Sequence, residues 1–145
     1  MRRGLTFATV LLALVGIGLS AVSTVNHYRS DPTSYCSFSE EFNCDIVNRS
    51  IYSRFPPNAA TAVPVAVIGL IGYVGISVLA LVRGRTASLL MLLATVAGLG
   101  FSLYLTYVEA RILHVWCILC LGSLAVIALI TALAVARFAR QEETS

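Results

Sequence analysis

Lysine is absent from this sequence, and charge of either sign is scarce: 10 arginines and 7 acidic residues make up 12% of the 145 residues. A soluble globular domain carries about twice that share, so a water-soluble fold of this size could not cover its surface. The arginines are scattered at the ends of apolar runs and form no basic patch or stripe, which excludes nucleic acid as a partner. No Gly-rich phosphate loop is present, and no Ser/His/Asp arrangement. Cysteine is limited to four residues. One pair is spaced too widely for a zinc knuckle and the other lies in an apolar run, so no metal is expected. His27 and His114 have no carboxylate at a useful spacing, and neither is assigned a role.

What the sequence has in abundance is uncharged, apolar length. Four stretches carry no Asp, Glu or Arg: Gly4 to Tyr28, Phe55 to Val82, Thr86 to Val108, and Ile112 to Ala136. Each exceeds the roughly 20 residues that cross a hydrocarbon core. Helices satisfy their own backbone, and the short alternating strands of a barrel are missing. The expected fold is therefore an all-α integral membrane protein, a bundle of four transmembrane helices spanning about 5–25, 62–82, 87–108 and 115–136. It forms one membrane domain over 1–145, with a long outer loop at 26–61. The first span could be read as a signal peptide. Its apolar run, Leu5 to Val22, is longer than an h-region and no clean Ala-x-Ala site follows, so a retained helix is expected.

Orientation follows the basic residues. With the N-terminus inside, Arg2, Arg3, Arg83, Arg85, Arg137 and Arg140 are cytoplasmic, against Arg29, Arg49, Arg54 and Arg111 outside. Both termini are then cytoplasmic, and Arg83-Gly84-Arg85 is a tight inner turn. In the outer loop, Val47, Ile51 and Phe55 recur every four residues, the pattern of a short amphipathic helix. It could lie in the membrane interface or be an ordinary loop helix. Gly69, Gly72 and Gly75, and the small residues around Gly98 and Gly100, are expected to serve close helix packing. Tyr28, Tyr104, Tyr107 and Trp116 fall near outer ends, as an aromatic belt would.

This topology puts all four cysteines on the outer side, where disulfides are permitted. Cys117-Ile-Leu-Cys120 opens the fourth span. Residues three apart on a helix share a face, so the two thiols can close on each other. The helix N-terminus favours the reactive thiolate. Cys117 is expected nearer water and Cys120 one turn deeper, which suits a relay from an aqueous thiol to an acceptor dissolved in the membrane. Cys36 and Cys44 bracket seven residues of the outer loop. Alone they could be a static staple, but beside a second pair they can also pass electrons in series by thiol–disulfide exchange.

The order of features resembles the vitamin K epoxide reductase family. The points of resemblance are Cys36 and Cys44 with seven residues between them, Ser50 six residues on, Gly69 with Gly72-Tyr73, and Cys117-Ile-Leu-Cys120 opening the last of four helices. The resemblance implies a quinone, ubiquinone or menaquinone, held among the helices as electron acceptor. It implies that Cys120 reacts with the quinone, Cys117 exchanges with Cys44, and Cys36 meets the external thiol partner. Ser50 would help form the quinone pocket, although its hydroxyl could equally cap a helix, and Val47, Tyr73 and Leu105 would line it. Animal members carry an asparagine where this chain has Pro64-Val65 and a tyrosine where it has Leu124; both hold the vitamin K head group. Their absence points away from epoxide reduction and toward bacterial members that reoxidise a periplasmic thioredoxin-like disulfide donor. With no thioredoxin-like domain after Ser145, that donor is expected to be a separate protein, and the location a bacterial plasma membrane. Epoxide or quinone reduction by lumenal thiols is one alternative, and a non-enzymatic scaffold with structural disulfides is the other.

Overall fold

The structure, a computed structural model, describes residues 2–28, 54–55 and 63–144. Four long helices account for nearly all of them: α1 (Arg2–Tyr28), α2 (Val65–Leu81), α3 (Arg85–Val108) and α4 (Ile118–Thr144). Two short strands, β1 (Arg54–Phe55) and β2 (Val63–Pro64), pair antiparallel immediately before α2. The amphipathic helix expected through Val47, Ile51 and Phe55 is therefore corrected at its end, because Phe55 is extended. The cause is local: Phe55 precedes Pro56, and a residue before proline is driven out of the α region. Val47 and Ile51 lie outside the described residues, as do Cys36, Cys44 and Ser50.

Among the described residues, three helices are long and apolar enough to cross a membrane, over Arg3–Val25, Arg85–Leu113 and Ile118–Glu143. The apolar α2, with 17 residues, is shorter. It begins later than position 62 because β2 occupies Val63–Pro64, and Pro64 stands at its N-cap. By contrast α4 runs well past position 136, carrying its polar end to Thr144.

The helices close into a ring in which α1 packs on α2 and α4, and α3 packs on α4 and α2. The core comprises Ala13, Tyr73, Ile76, Ala80, Met91, Val126, Ile127, Ile130 and Ala134. The outward face is apolar as well: Phe7, Ile71, Leu93 and Leu129 are all more than half exposed. Burying such side chains in lipid is favourable, whereas leaving a surface of this kind in water is not. The protein is thus a membrane helical bundle. Tyr104 and Tyr107 lie on the same outward surface.

Two polar devices hold the ring. Thr131 Oγ1 donates to the Thr95 carbonyl at 3.3 Å and to the Ile127 carbonyl at 2.7 Å, joining α4 to α3. Less than two turns further along α4, Arg137 donates to the carbonyls of Ala80 at 3.1 Å and Val82 at 2.6 Å, satisfying the acceptors left open where α2 stops. The α2–α3 turn needs Gly84, whose φ of 125° is open to glycine but strained for other residues. Nearby, Arg85 pairs with Glu142 at 2.6 Å.

The glycines divide differently from the expectation. A Cβ on Gly69 would lie 3.1 Å from Ser20 Oγ, and one on Gly98 would lie 3.4 Å from Ile127, so both mark close helix approach. Gly72, Gly75 and Gly100 face open space. The tightest approach is at Gly16 on α1, where the ring of Tyr73 occupies the place a Cβ would take.

Candidate redox site

Between Val108 and α4 the helical hydrogen bonding changes. Glu109–Leu113 form a π-turn, closed by the bond from the His114 N–H to the Glu109 carbonyl. His114 then adopts the left-handed conformation at φ 54°, which ends the turn and lets the chain start a new helix. Single π-turns of this kind are frequent at functional sites. Here the turn belongs to a buried knot in which Glu109 is 1% exposed and Cys117 fully buried.

Cys117 is the N-cap of α4, since its carbonyl accepts the first helical bond from the Leu121 N–H at 3.0 Å. Its sulfur takes the place of a capping oxygen, accepting the backbone N–H groups of Leu119 and Cys120. Its own N–H donates to Glu109 Oε2 at 3.2 Å. The two cysteines are free thiols, and their side chains hydrogen-bond each other. Donors gathered at a helix N-terminus are what stabilise a thiolate. Cys117, expected nearer water than Cys120, is the more buried of the two. Val115, Leu113 and Leu119 pack around it, and the Glu109 carboxylate sits against it, so none of its surface reaches solvent.

Cys120, half-buried, forms part of the wall of a cavity of about 370 Å³ lined by residues of all four helices. Tyr73 and Leu105, both expected at a pocket for an acceptor, line it. Val47 and Ser50, assigned to the same pocket, fall outside the described residues, as does the Cys36/Cys44 pair. The wall is predominantly apolar. Its polar exceptions include Ser20 and Ser23 from α1, the Tyr73 and Ser123 hydroxyls, and Glu109. Tyr73 Oη lies 2.7 Å from Ser123 Oγ and donates to the Ser123 carbonyl at 3.1 Å. Pro64 also borders the space.

Two of these residues had no place in the sequence reading. Ser123 follows Cys120 by three positions and so shares its helical face, a signal available from spacing alone. Glu109 entered there only as one of the 7 acidic residues. Its eight-residue distance from Cys117 cannot be read on a helical wheel, because the π-turn and the left-handed His114 intervene.

A model of the vitamin K epoxide reductase family matches residues 7–135. The match takes in most of the four helices, the π-turn and all four cysteines.

Proposed function

We propose, because the chain belongs to the vitamin K epoxide reductase family, that this membrane thiol oxidoreductase generates disulfides at the expense of a membrane quinone. A reduced, thioredoxin-like periplasmic protein exchanges with Cys36 and Cys44. That pair passes two electrons to Cys117 and Cys120, and ubiquinone or menaquinone leaves as quinol. The protein spans a bacterial inner membrane four times as a single domain, with both termini cytoplasmic and the cysteines outside.

The observation that carries this reading is the position of Cys120 in the wall of an apolar cavity inside the bundle. Pockets for small molecules run from about 300 to 1,000 Å³, mostly apolar with a few placed polar groups, and a volume of about 370 Å³ falls within that range. A flat apolar ring with two carbonyl oxygens suits such a wall. Tyr73 and Leu105 bound the ring's space, with Val47 and Ser50 completing the pocket. When bound, the quinone supplies a two-electron sink. The chain's own work is to bring a thiol to that sink, exclude water and manage the protons.

Thiol–disulfide exchange requires one attacking thiolate at a time. Cys117, its sulfur receiving backbone N–H groups, is the exchanging member of its pair, and Cys120 is the member facing the acceptor. In detergent or vesicles, a reduced thioredoxin-like donor should drive quinone reduction, read by quinone absorbance. Cys120→Ala, like replacement of any of the other three cysteines, should abolish it. A Cys120→Ala protein working at the parent rate would exclude the mechanism.

A further inference from the structure

The buried carboxylate of Glu109 receives the N–H at the start of α4 but has no part in the relay above. Glu109 is 1% exposed in the apolar end of a helical bundle, where an unpaired charge is costly. Among the described residues no arginine is bonded to it. Oε2 accepts the Cys117 N–H at 3.2 Å, whereas the buried Oε1 has no backbone or hydroxyl donor. A carboxylate kept only to cap the start of α4 would need one oxygen. Glu109 lines the same cavity as Cys120, and its carboxylate stands close enough to the Cys120 thiol to interact with it. The chain spends a π-turn and a left-handed histidine to place the group there.

We propose that Glu109 is the proton carrier of this site, taking the thiol protons of the Cys117–Cys120 pair and delivering them to the substrate bound in the cavity. The inference rests on the quinone reading above. Oxidation of the dithiol breaks two S–H bonds and makes one S–S bond, releasing two electrons and two protons. Conversion of a quinone to a quinol consumes both and forms two O–H bonds. Glu109 receives the Cys120 proton as that sulfur gives up its electrons, and hands it to a quinone oxygen. Once unloaded, it carries the Cys117 proton in the same way, so the carboxylate ends each cycle as it began. The wall beside the sulfur is predominantly apolar, and Glu109 is the carboxylate that it holds there.

The test is Glu109→Gln, which keeps an oxygen for the Cys117 N–H and removes only the ability to accept and release a proton. Loss of a general acid–base group costs about 100-fold or more in rate, and donor-driven quinone reduction should fall by about that factor. Closure of the Cys117–Cys120 disulfide by a chemical oxidant, measured as its final extent, confirms that the variant is folded. A second readout needs no quinone. In infrared difference spectra between the chemically oxidised and reduced parent, a carboxyl band should change, and the change should vanish in Glu109→Gln. A variant turning over within about twofold of the parent, or spectra without a redox-linked carboxyl band, overturns the assignment. A parent that reduces no quinone overturns the functional reading instead, and the infrared arm still decides whether Glu109 exchanges protons with the thiol pair.

Discussion

Tyr73 and Ser123, fifty positions apart in the chain, bring their hydroxyl oxygens to 2.7 Å across the bundle, and Tyr73 also reaches the Ser123 carbonyl. The ring of Tyr73 meanwhile packs against Gly16 of α1. One side chain of α2 thus meets both α1 and α4, two of the helices that line the cavity. Ser123 stands one turn beyond Cys120, so the tie also fixes the helical face that carries the thiol.

A double-mutant cycle isolates that bond. Tyr73→Phe keeps the ring against Gly16 and removes the hydroxyl; Ser123→Ala removes the partner. Each should lower stability in detergent by about 1 kcal/mol, the usual net worth of an internal hydrogen bond. The double variant should lose clearly less than their sum, because neighbouring groups sharing one interaction are not additive. Equilibrium unfolding of the four proteins checks this. Full additivity would mean that the two hydroxyls do not interact.

The contact between Gly16 and Tyr73 leads to a steric expectation. A Cβ at Gly16 would overlap the ring atoms, while one at Gly18, two positions on, would meet nothing within 4 Å. Gly16→Ala should therefore force α1 away from α2 or displace the Tyr73 ring, at about 1–3 kcal/mol for overpacking. Gly18→Ala should be neutral or slightly stabilising, since alanine is the better helix former. Thermal unfolding of the two single variants separates the cases, and equal melting points would show that α1 does not approach as closely as described.

Much of the bundle was legible because lipid imposes a coarse rule: stretches without charge must be helical and long. Regions Gly4 to Tyr28 and Thr86 to Val108 obeyed it, and α1 and α3 run through them. The rule is blind to what one or two residues do at a helix end. It overextended α2 into Val63–Pro64, where proline sets the start, and it carried the expected loop helix through Phe55, which the following proline makes extended. At the site, the spacing of Cys117 and Cys120 announced a shared face, and Tyr73 and Leu105 do border the cavity beside Cys120. Glu109 was hidden, because a helical wheel assumes an α-helical path and the chain leaves that path at Glu109–Leu113. The burial of Cys117 was hidden for the same reason: the residues that cover it come from the π-turn and the segment after it.

Cys117 has two jobs that a substitution can separate. As a thiol it belongs to the redox pair; as the N-cap of α4 it offers its sulfur to the N–H groups of Leu119 and Cys120. Serine keeps a capping acceptor in nearly the same place but cannot form a disulfide, whereas alanine gives up both. Replacing a capping side chain by alanine costs about 1 kcal/mol, and the cost is felt more where no water can reach the exposed N–H groups. Cys117→Ser and Cys117→Ala should therefore be equally inactive in quinone reduction, while the serine protein unfolds with about 1 kcal/mol more stability. Equal stability of the two would mean that the sulfur caps nothing, and that the start of α4 is held by the Glu109 carboxylate through the Cys117 N–H alone.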